Sequence, residues 1–303
     1  MNTLEDHHHP RHRSGFVGIA GPPNVGKSTL LNRILGEKIS ITSSKPQTTR
    51  NRILGIAHRP EAQIIFVDTP GVHGARKALN IRMVASALAA LDDMDVVLLV
   101  LDAAAPDPAS ENLLVKKLGQ LRRPLILVLN KTDLVAKPAL LALIARWSQA
   151  VAFEALVPVS AQTGDQLPAL LQALEACLPL GPPLFPADAI TDMPERFIAA
   201  EMIREKVFRF TGQEIPYSTA VTIERFAEET RPALVKIFAT IHVERDSQKG
   251  VVIGKGGAKL KQIGVAARSE IERMIGAQVY LKLLVRVEKN WSQDSRALRK
   301  FGY

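Results

Sequence analysis

Two short glycine-rich stretches, each with a lysine, have the composition needed to hold phosphate groups. They are GPPNVGKST at 21–29 and VVIGKGGAKL at 251–260. Glycine lets a backbone approach a phosphate closely, and lysine neutralises the charge of the phosphate. A nucleotide and a nucleic-acid strand both offer phosphates, but they place different demands on the neighbouring residues. Those neighbours therefore indicate what each stretch binds.

The first stretch matches the phosphate-binding pattern G-x-x-x-x-G-K-[S/T] at 21–28. It follows an apolar run and precedes a helical pattern, so the amides that open a helix would face the phosphates. We predict that Lys27 neutralises the β- and γ-phosphates and that the Ser28 hydroxyl binds Mg²⁺. The alternative is an ordinary turn between a strand and a helix. The predicted nucleotide contacts in this stretch are Asn24, Val25, Gly26, Lys27, Ser28 and Thr29.

The motif DTPG at 68–71 ends another apolar run. Asp68, at the end of a predicted strand, can hold Mg²⁺ through a water molecule, and the amide of Gly71 can sense a γ-phosphate. Because Asp, Pro and Gly all favour turns, a plain turn after the strand is the alternative. The place of the motif in a series of strand-ending motifs favours the nucleotide interpretation.

Two further motifs predict that the base is guanine. NKTD at 130–133 includes Asp133, whose carboxylate can accept hydrogen bonds from N1–H and the 2-amino group of guanine. Adenine lacks this pair of donors, so Asp133 would select guanine. In VPVSA at 157–161, the amide of Ala161 can meet O6 of guanine. The predicted contacts in these two motifs are Asn130, Lys131, Asp133, Ser160 and Ala161.

Alternating apolar runs and helical periodicities from 15 to 178 must position these motifs. Several runs are almost wholly apolar, as in strands that are buried on both faces of a sheet. This alternation predicts an α/β domain with a mostly parallel sheet and helices on both faces. The predicted strands are 16–20, 52–58, 63–68, 96–102, 125–130 and 156–160, and the predicted helices are 27–35, about 78–90, 110–120, 138–149 and 167–178.

A proline-rich segment separates this region from a different pattern. Proline removes amide donors and disfavours helix before it, so 179–192 is predicted to be a semi-rigid linker after a GTPase-type domain at 15–178. Residues 193–303 are predicted to form a smaller α+β domain, and 1–14 a flexible tail. The elements expected in the second domain are a helix at 194–208, strands at 218–226 and 234–244, a helix at 258–275 and a strand at 277–287.

The second glycine stretch has the spacing G-x-x-G and lacks the Ser or Thr of a nucleotide loop. The chain carries a net charge of +9, and the part from Arg245 onward holds 13 basic and 5 acidic residues. This charge and the element order α-β-β-α-β resemble a KH domain, which clamps about four nucleotides of single-stranded RNA. A packing role for the loop is the alternative. The predicted RNA contacts are Lys249, Ile253, Gly254, Lys255, Gly256, Gly257, Lys259 and Lys261.

The way in which RNA would be held also follows from composition. Aromatic residues make up only 5% of the chain, so stacking of bases on rings is not expected to be the main device. Ile253 and Ile263 would instead form an aliphatic floor under the bases. Nothing resembles a helix built to read the major groove, so no DNA partner is expected. The tail at 290–303 either extends the RNA surface or is solvated.

Residues 15–178, with loops that read GPPNVGKS, QTT, DTPG, NKTD and SA, resemble a translation-factor-type GTPase domain. The resemblance implies Mg²⁺-dependent hydrolysis of GTP and a switch that senses the γ-phosphate. In SSKPQTTR at 43–50, Thr49 is expected to complete the coordination of Mg²⁺, with Thr48 as the alternative. The implied catalytic residues are Lys27, Thr49 and Gly71, and the implied metal ligands are Ser28, Thr49 and, through water, Asp68.

Two positions bear on the rate of hydrolysis. Many such enzymes have a glutamine directly after DTxG that orients the attacking water, whereas this chain has Val72. We therefore expect slow intrinsic hydrolysis. Related GTPases with an asparagine at the position of Asn24 can use K⁺ as a cationic finger, which makes K⁺ a second candidate cofactor.

The motifs PNVGKSTLLN, DTPGVH, NKTDL and GKGG, with the closing WSQDSRALRKFGY, together resemble the Era family over about 15–303. The resemblance implies a cytoplasmic GTPase that acts in assembly of the small ribosomal subunit. Its KH domain would bind single-stranded rRNA near the 3′ end of the small-subunit RNA. Family members have also been linked to the membrane surface, and here basic patches would allow only peripheral association at its inner face.

Two other functions are compatible with the sequence. In one, the basic C-terminal domain docks a protein or a membrane and RNA binding is incidental. In the other, the phosphate loop serves an ATP-using enzyme, which Asp133 argues against. Within the favoured interpretation, GTP and Mg²⁺ order residues about 40–50 and 70–80 and change how the KH domain is held. The single cysteine, Cys177, and the absence of an apolar run long enough to span a bilayer support a cytosolic protein.

Overall fold

The computed structural model describes residues 12–42, 52–68, 91–120, 122–211, 215, 219–230 and 233–301. Its contacts divide the chain into two units. The described residues of the first unit run to Glu37 and from Arg52 to Asp192, and those of the second are Lys38–Thr42 and Met193 onward. Thr48, Thr49, Gly71, Val72 and the helix predicted at about 78–90 lie outside the described residues, as does most of the predicted N-terminal tail.

The first unit is built on a six-stranded sheet. Its strand order is β2-β3-β1-β4-β5-β6, with β2 antiparallel to β3 and every other pair parallel. All residues of β3, β4 and β5 are buried, as expected of strands covered on both faces. The predicted α/β domain with a mostly parallel sheet is thus confirmed. The strands are β1 Arg13–Ala20, β2 Ile53–Arg59, β3 Ala62–Asp68, β4 Val96–Asp102, β5 Leu125–Asn130 and β6 Ala155–Pro158.

The helices of this unit alternate with its parallel strands. They are α1 Lys27–Leu35, α2 Pro108–Leu118, α3 Lys137–Ala150 and α4 Leu167–Cys177. The core beside them gathers side chains such as Leu99, Leu127 and Trp147. Because neighbouring strands run parallel, their carboxyl ends and the loops that follow lie along one edge of the sheet. The predicted nucleotide motifs follow β1, β3, β5 and β6 at that edge.

The predicted linker is bound to the first unit. The amides of Leu184 and Phe185 donate to Gln63 Oε1 at 2.6 and 2.9 Å, and Gln63 Nε2 donates to the carbonyl of Phe185 at 2.8 Å. Further along, the Ile56 amide donates to the carbonyl of Ile190 at 2.8 Å. These bonds lie on β2, an edge strand, and on its neighbour β3. The bond to Ile190 satisfies a backbone amide of β2 that an open sheet edge would leave unpaired.

The second unit contains a three-stranded sheet of order β7-β8-β9, with β7 antiparallel and β9 parallel to β8. One face of this sheet carries buried residues such as Ile237 and Ile241. This unit is smaller than the first and of α+β class, as the sequence predicted. Its elements are α5 Glu195–Phe210, β7 Ala220–Thr230, β8 Ala233–Val243, α6 Asp246–Ile253, α7 Ala258–Ile275, β9 Gln278–Val287 and α8 Ser295–Lys300.

Two features of this unit differ from the sequence prediction. A helix, α6, lies directly before the glycine loop, so the order is α-β-β-α-α-β. Its sequence DSQKGVVI is rich in Ser, Gly and Val, which are poor helix formers, and contacts with α7 and β9 stabilise it instead. The C-terminal tail is also not simply solvated, because Trp291 is only 1% exposed and packs with Leu298 and Phe301.

Candidate nucleotide site and nucleic-acid groove

The predicted phosphate loop forms the turn between β1 and α1. Gly26 precedes the helix at φ 97°, a left-handed conformation that glycine adopts at low cost. A Cβ atom on Gly26 would lie 2.3 Å from Asn130 Nδ2, so a larger residue has no room there. The first turn of α1 has no side-chain cap and no acidic residue. Its amides and the positive end of its dipole are therefore suited to an anion.

Lys27 folds back over this loop. Its Nζ donates to the carbonyls of Gly21 and Pro22 at 3.0 and 2.8 Å, and the side chain is buried. Burial lowers the pKa of Lys27 to about 8, although the charge of Asp68 opposes the shift. A bound polyphosphate would supply negative charge and stabilise the ammonium ion.

Two oxygen-bearing side chains meet beside the lysine. Ser28 Oγ donates to Asp68 Oδ2 at 2.9 Å, which brings the end of β3 to the first turn of α1. Asp68 is fully buried. A hydroxyl and a carboxylate are hard oxygen donors of the type that Mg²⁺ prefers, so the residues present fit this ion.

Asn130 joins the phosphate loop to the loop after β6. Its Nδ2 donates to the carbonyl of Val25 at 2.8 Å, and its Oδ1 accepts from the amide of Ala161 at 3.0 Å. Asn130 is 1% exposed, so both halves of its amide are used inside the protein. The sequence suggested a nucleotide contact for this side chain, whereas the structure shows a clip between two loops that lie on either side of the site.

Asp133 lies beside the same loop and is exposed. Ser160 Oγ donates to Asp133 Oδ1 at 2.6 Å, and the amide of Thr163 donates to Ser160 Oγ at 3.1 Å. These two hydrogen bonds orient the carboxylate of Asp133 and leave its remaining acceptor positions available for a base. Asp133 and Ala161 are thus brought to one place through Ser160, as the guanine hypothesis requires.

Asp102, at the end of β4, is a site residue that sequence reasoning missed. It forms an ion pair with Lys131 and accepts hydrogen bonds from the amides of Ala104 and Ala105 at 2.9 and 3.1 Å. Lys131 itself has φ 67°, a left-handed conformation. The sequence did contain a signal for Asp102, because it is an aspartate at the end of an apolar strand, as Asp68 is.

Two other predicted contacts have a clear position. Asn24 is exposed at φ 63°, on the outside of the phosphate loop, and Thr29 lies in the first turn of α1. An exposed amide at the tip of this loop is accessible to a ligand or a cation.

The second glycine loop joins α6 to α7. Gly254, Gly256 and Gly257 have φ of 73°, 58° and 80°, so all three use conformations that favour glycine. A Cβ on Gly256 or Gly257 would meet no atom within 4 Å. These two positions therefore face open space that a strand of nucleic acid can approach.

A groove lies beside this loop, between α7 and β9. Its volume is about 420 Å³. The wall from α7 has residues spaced by three and four, which is one face of a helix. The sequence prediction did not include most of the residues on this helix face, although their spacing is visible in the sequence. The groove is lined by Gly257, Leu260, Lys261, Gly264, Val265, Arg268, Leu281, Lys282 and Leu283.

The remaining predicted RNA contacts surround this groove unevenly. Lys255 and Lys261 are exposed, and Lys249, Ile253 and Lys259 are half-buried. Ile263 is fully buried in the core, so it is not the apolar floor that was expected. Val265, which is 54% exposed, lies on the face of α7 that lines the groove.

A phosphate loop, a strand-end carboxylate beside its serine and a base-recognition loop on a mostly parallel sheet define a P-loop GTPase, here followed by a KH domain. Residues 16–131 match a family described as 50S ribosome-binding GTPase, and residues 214–292 match the KH domain family. The chain belongs to the Era family of GTPases, as its full-length relatives show.

Relatives cover nearly the whole chain. GTPase Era of Geobacter metallireducens is 55% identical over 96% of this chain and 98% of its own length. GTPase Era of Heliobacterium modesticaldum is 47% identical over 96% of this chain and 97% of its own length. The chain is therefore a GTPase, and the prediction of the Era family is confirmed.

Two solved structures have the same fold. A variant of Aquifex aeolicus Era bound to GDP·AlF4⁻ is 41% identical and superposes with a TM-score of 0.91 over 96% of this chain and 99% of that one. A structure of Era with MgGDPNP and nucleotides 1506–1542 of 16S ribosomal RNA has the same TM-score of 0.91, the same 41% identity and the same coverage. In the part of the chain that is described, no helix has the length and apolar character needed to cross a bilayer.

Proposed function

We propose that this GTPase is a guanine-nucleotide switch that binds single-stranded rRNA of the small ribosomal subunit in its KH groove. The observation that carries the nucleotide assignment is the double hydrogen bond of Asn130, which holds the phosphate loop and the base-recognition loop together. In this proposal, Lys27, Asp133 and Ala161 contact one nucleotide at the carboxyl edge of the sheet.

Each residue of this site has a defined task. Lys27 exchanges its bonds to loop carbonyls for the β- and γ-phosphates. Ser28 and, through water, Asp68 would hold Mg²⁺. The ion, when bound, neutralises charge that develops on the phosphates during transfer. Asp133 accepts two hydrogen bonds from guanine while Ser160 holds its carboxylate in place.

The switch residues proposed from the sequence complete the site. Thr49 would add a ligand to the metal, and the Gly71 amide would sense the γ-phosphate. Val72 carries no group that can orient water, so intrinsic hydrolysis is slow. Asn24, exposed at the tip of the loop, is the candidate to hold K⁺ near the phosphates. Equal hydrolysis rates in KCl and NaCl would remove K⁺ from this scheme.

The groove of the KH unit is the proposed RNA site. Phosphates would approach Gly256 and Gly257, whose surroundings are open, while Lys255 and Lys261 neutralise them. Bases would lie on the aliphatic wall that includes Val265. An Era relative was solved with a segment of 16S ribosomal RNA, which supports this assignment.

We further propose that the two sites are coupled across the boundaries predicted from the sequence, with a GTPase domain at 15–178, a segment at 179–192 and a KH domain at 193–303. RNA would then change nucleotide affinity or hydrolysis, and nucleotide would change RNA affinity by the same factor. Peripheral membrane association through basic patches is a weaker alternative for the C-terminal unit. The membrane alternative would be favoured if the protein bound vesicles containing anionic lipid more tightly than it bound RNA.

Competition among GTP, ATP and XTP tests the nucleotide assignment. Wild-type protein is expected to prefer GTP, because only guanine offers two donors to Asp133. Asp133→Asn should lose GTP binding and gain XTP binding, since xanthine presents an acceptor where guanine has its amino group. Retained GTP preference in this variant would contradict the assignment.

Gly256→Asp tests the RNA groove. The substitution adds a negative charge and a side chain at a left-handed position, and it should weaken binding of a five-nucleotide RNA at least tenfold while leaving GTP binding intact. Gly276→Asp is a matched control, because Gly276 also has positive φ (72°) and open surroundings but lies at the other end of α7. Equal effects of the two changes would indicate general charge or strain rather than a groove contact.

A further inference from the structure

The sheet of the KH unit has a second face, which points away from its buried core. Alternate residues of a strand face the same side, and the buried members of β9 and β8 define the inner side. Three cross-strand rows on the outer side are set by the strand register, and we call them the aromatic face. They are Ala227–Lys236–Tyr280, Arg225–Phe238–Lys282 and Thr222–Thr240–Leu284.

Two rings lie next to each other at the centre of this face. The centroids of Phe238 and Tyr280 are 6.1 Å apart, with ring planes tilted by 57°. Arg225 Cζ and Lys282 Nζ each lie 5.9 Å from the centroid of the Phe238 ring. Aromatic faces with cations beside them are the usual surfaces on which unpaired bases stack.

The exposure of this face argues against a purely structural role. Tyr280 is 51% exposed and Leu284 is 57% exposed, although both are large and apolar or aromatic. At the other end of the same face, the tail does cover the sheet, since the Phe301 ring packs on His242 with centroids 4.5 Å apart. Tyr280 lies three rows further along the sheet from His242, and there it remains exposed.

The charge of the face selects the kind of ligand. Arg225 and Lys282 stand beside Phe238, and Lys236 lies in the next row with an ion pair to Glu229 at 2.7 Å. Glu224 accepts a hydrogen bond from Thr222 Oγ1 at 2.9 Å, so three basic and two acidic side chains stand on or beside this face. The balance is positive, which suits a polyanion with flat, apolar bases better than an acidic or neutral protein surface.

The aromatic face is continuous with the groove. β9 is an edge strand of the sheet, and its Lys282 both lines the groove and stands on the outer face. Tyr280 is two residues away on the same face, a distance of about 7 Å along a strand. An RNA strand that leaves the groove over β9 therefore reaches Tyr280 within about one or two nucleotides.

We propose that the aromatic face is a second RNA contact, on which a base beyond the nucleotides in the groove stacks against Tyr280 while Arg225 and Lys282 neutralise the adjacent phosphates. This inference rests on the proposed RNA function of the groove. It also revises the expectation that aromatic rings contribute little to RNA binding. Two aromatic side chains that are neighbours on an exposed sheet are enough to stack a base, even if the chain has few others.

The test compares two single-stranded RNAs, one of five and one of twelve nucleotides, on the full-length protein. The short RNA fits the groove alone, and the long RNA extends past β9. Tyr280→Ala should weaken binding of the long RNA about tenfold, in the range measured for one stacked base, and leave the short RNA unchanged. Tyr280→Phe should bind both RNAs as wild type does, because it keeps the ring.

A second variant tests whether the effect of Tyr280→Ala could come from local disruption of β9. Arg225→Glu changes a residue of β7, the opposite edge strand, and should also weaken only the long RNA. 2-Aminopurine placed beyond the first five nucleotides should lose fluorescence on binding to wild type and recover it with Tyr280→Ala, as stacking requires. Leu141→Ala, an exposed apolar change on α3 of the first unit, should leave this signal unchanged.

The outcomes separate the two proposals. If Tyr280→Ala and Arg225→Glu bind both RNAs as wild type does while Gly256→Asp weakens both, the aromatic face is excluded and the groove stands. If none of these changes affects either RNA, the proposed RNA function itself fails. If Tyr280→Ala abolishes binding of a protein partner but of no RNA, the face is a protein site and this inference is overturned.

Discussion

The side-chain amide of Asn130 donates to the carbonyl of Val25 at 2.8 Å and accepts from the amide of Ala161 at 3.0 Å. One buried side chain thus connects the loops after β1, β5 and β6. Gly26 must be glycine because this amide passes within 2.3 Å of where its Cβ would be. Loops from distant parts of the sequence that are predicted to contact the nucleotide are therefore connected by the hydrogen bonds of one side chain.

Asn130→Ala should weaken GDP and GTP binding at least tenfold without changing the preference for guanine. The change leaves a buried carbonyl and a buried amide without their partner, which costs about 1–3 kcal/mol of unfolding free energy. Isothermal titration calorimetry and urea unfolding measure the two effects. Asn112→Ala, which removes the same group from an exposed position of α2, is the control. Wild-type affinity in Asn130→Ala would show that the clip is dispensable.

The lowered pKa of Lys27 predicts that nucleotide binding takes up protons in mildly alkaline solution. Burial lowers the pKa of the free lysine to about 8, so about half of the molecules lack this proton at pH 8. Polyphosphate raises the pKa and restores the proton. Binding should therefore consume about half a proton at pH 8 and almost none at pH 6.5, and affinity should fall as pH rises above 8.

Calorimetry in two buffers of different ionisation enthalpy measures this proton uptake. Lys27→Arg is the control, because arginine stays protonated and should show no uptake even if it binds more weakly. The same shift also has a stability consequence. Since the pKa of this lysine in the unfolded chain stays near its ordinary value of 10.5, the unfolded state binds more protons between about pH 8 and 10.5. This group therefore favours folding increasingly as pH rises through that window.

The strands and the phosphate loop could be predicted because their signals are local. All six strands of the first unit lie where apolar runs predicted them, with β1 beginning earlier, at Arg13. By contrast, α6 is held by tertiary contacts that outweigh its poor helix propensity. The Asn130 clip depends on the spacing of three loops in space, which no pattern along the chain reveals. The aromatic face was equally hidden, because Phe238 and Tyr280 are neighbours only through the pairing of β8 with β9.

Gln63 is predicted to control the segment that leads out of the first unit. Its buried amide makes three hydrogen bonds with Leu184 and Phe185. Gln63→Leu keeps the volume but loses all three bonds, so exchange of the Leu184 and Phe185 amide hydrogens should accelerate at least tenfold and stability should fall by about 2–3 kcal/mol. Hydrogen exchange followed by mass spectrometry reports both amides.

Nucleotide affinity should not change in Gln63→Leu, because Gln63 lies at the amino-terminal end of β3, away from Asp68 at the other end. Gln120→Leu removes an exposed glutamine after α2 and serves as control. Slow exchange at Leu184 and Phe185 in the Gln63 variant would mean that other contacts, such as the bond from Ile56 to Ile190, are enough to fix the segment.

The second unit contains a buried charge cluster that predicts a loss of stability in acid. Lys206 is 1% exposed and is paired with Glu205 at 3.1 Å and with Glu270. Burial alone would raise the pKa of Glu270, but hydrogen bonds from Lys206 and Lys38 outweigh this effect and lower the pKa below its ordinary value of 4.5. The stabilisation is therefore complete above pH about 4.5 and is lost as pH falls through the lowered value.

Glu270→Gln should lower the unfolding free energy of this unit by about 1–3 kcal/mol at pH 7, because Glu205 alone then compensates the buried ammonium of Lys206. The gap between wild type and variant should narrow as pH falls below about 4.5, since the wild-type carboxylate becomes protonated there. Urea unfolding in a Trp147→Phe background, in which the buried Trp291 reports the second unit, measures this gap. Glu228→Gln, on the exposed surface of β7, should show no gap at any pH. A gap for Glu270→Gln that stays constant from pH 7 to pH 3 would mean that its charge contributes nothing to the cluster.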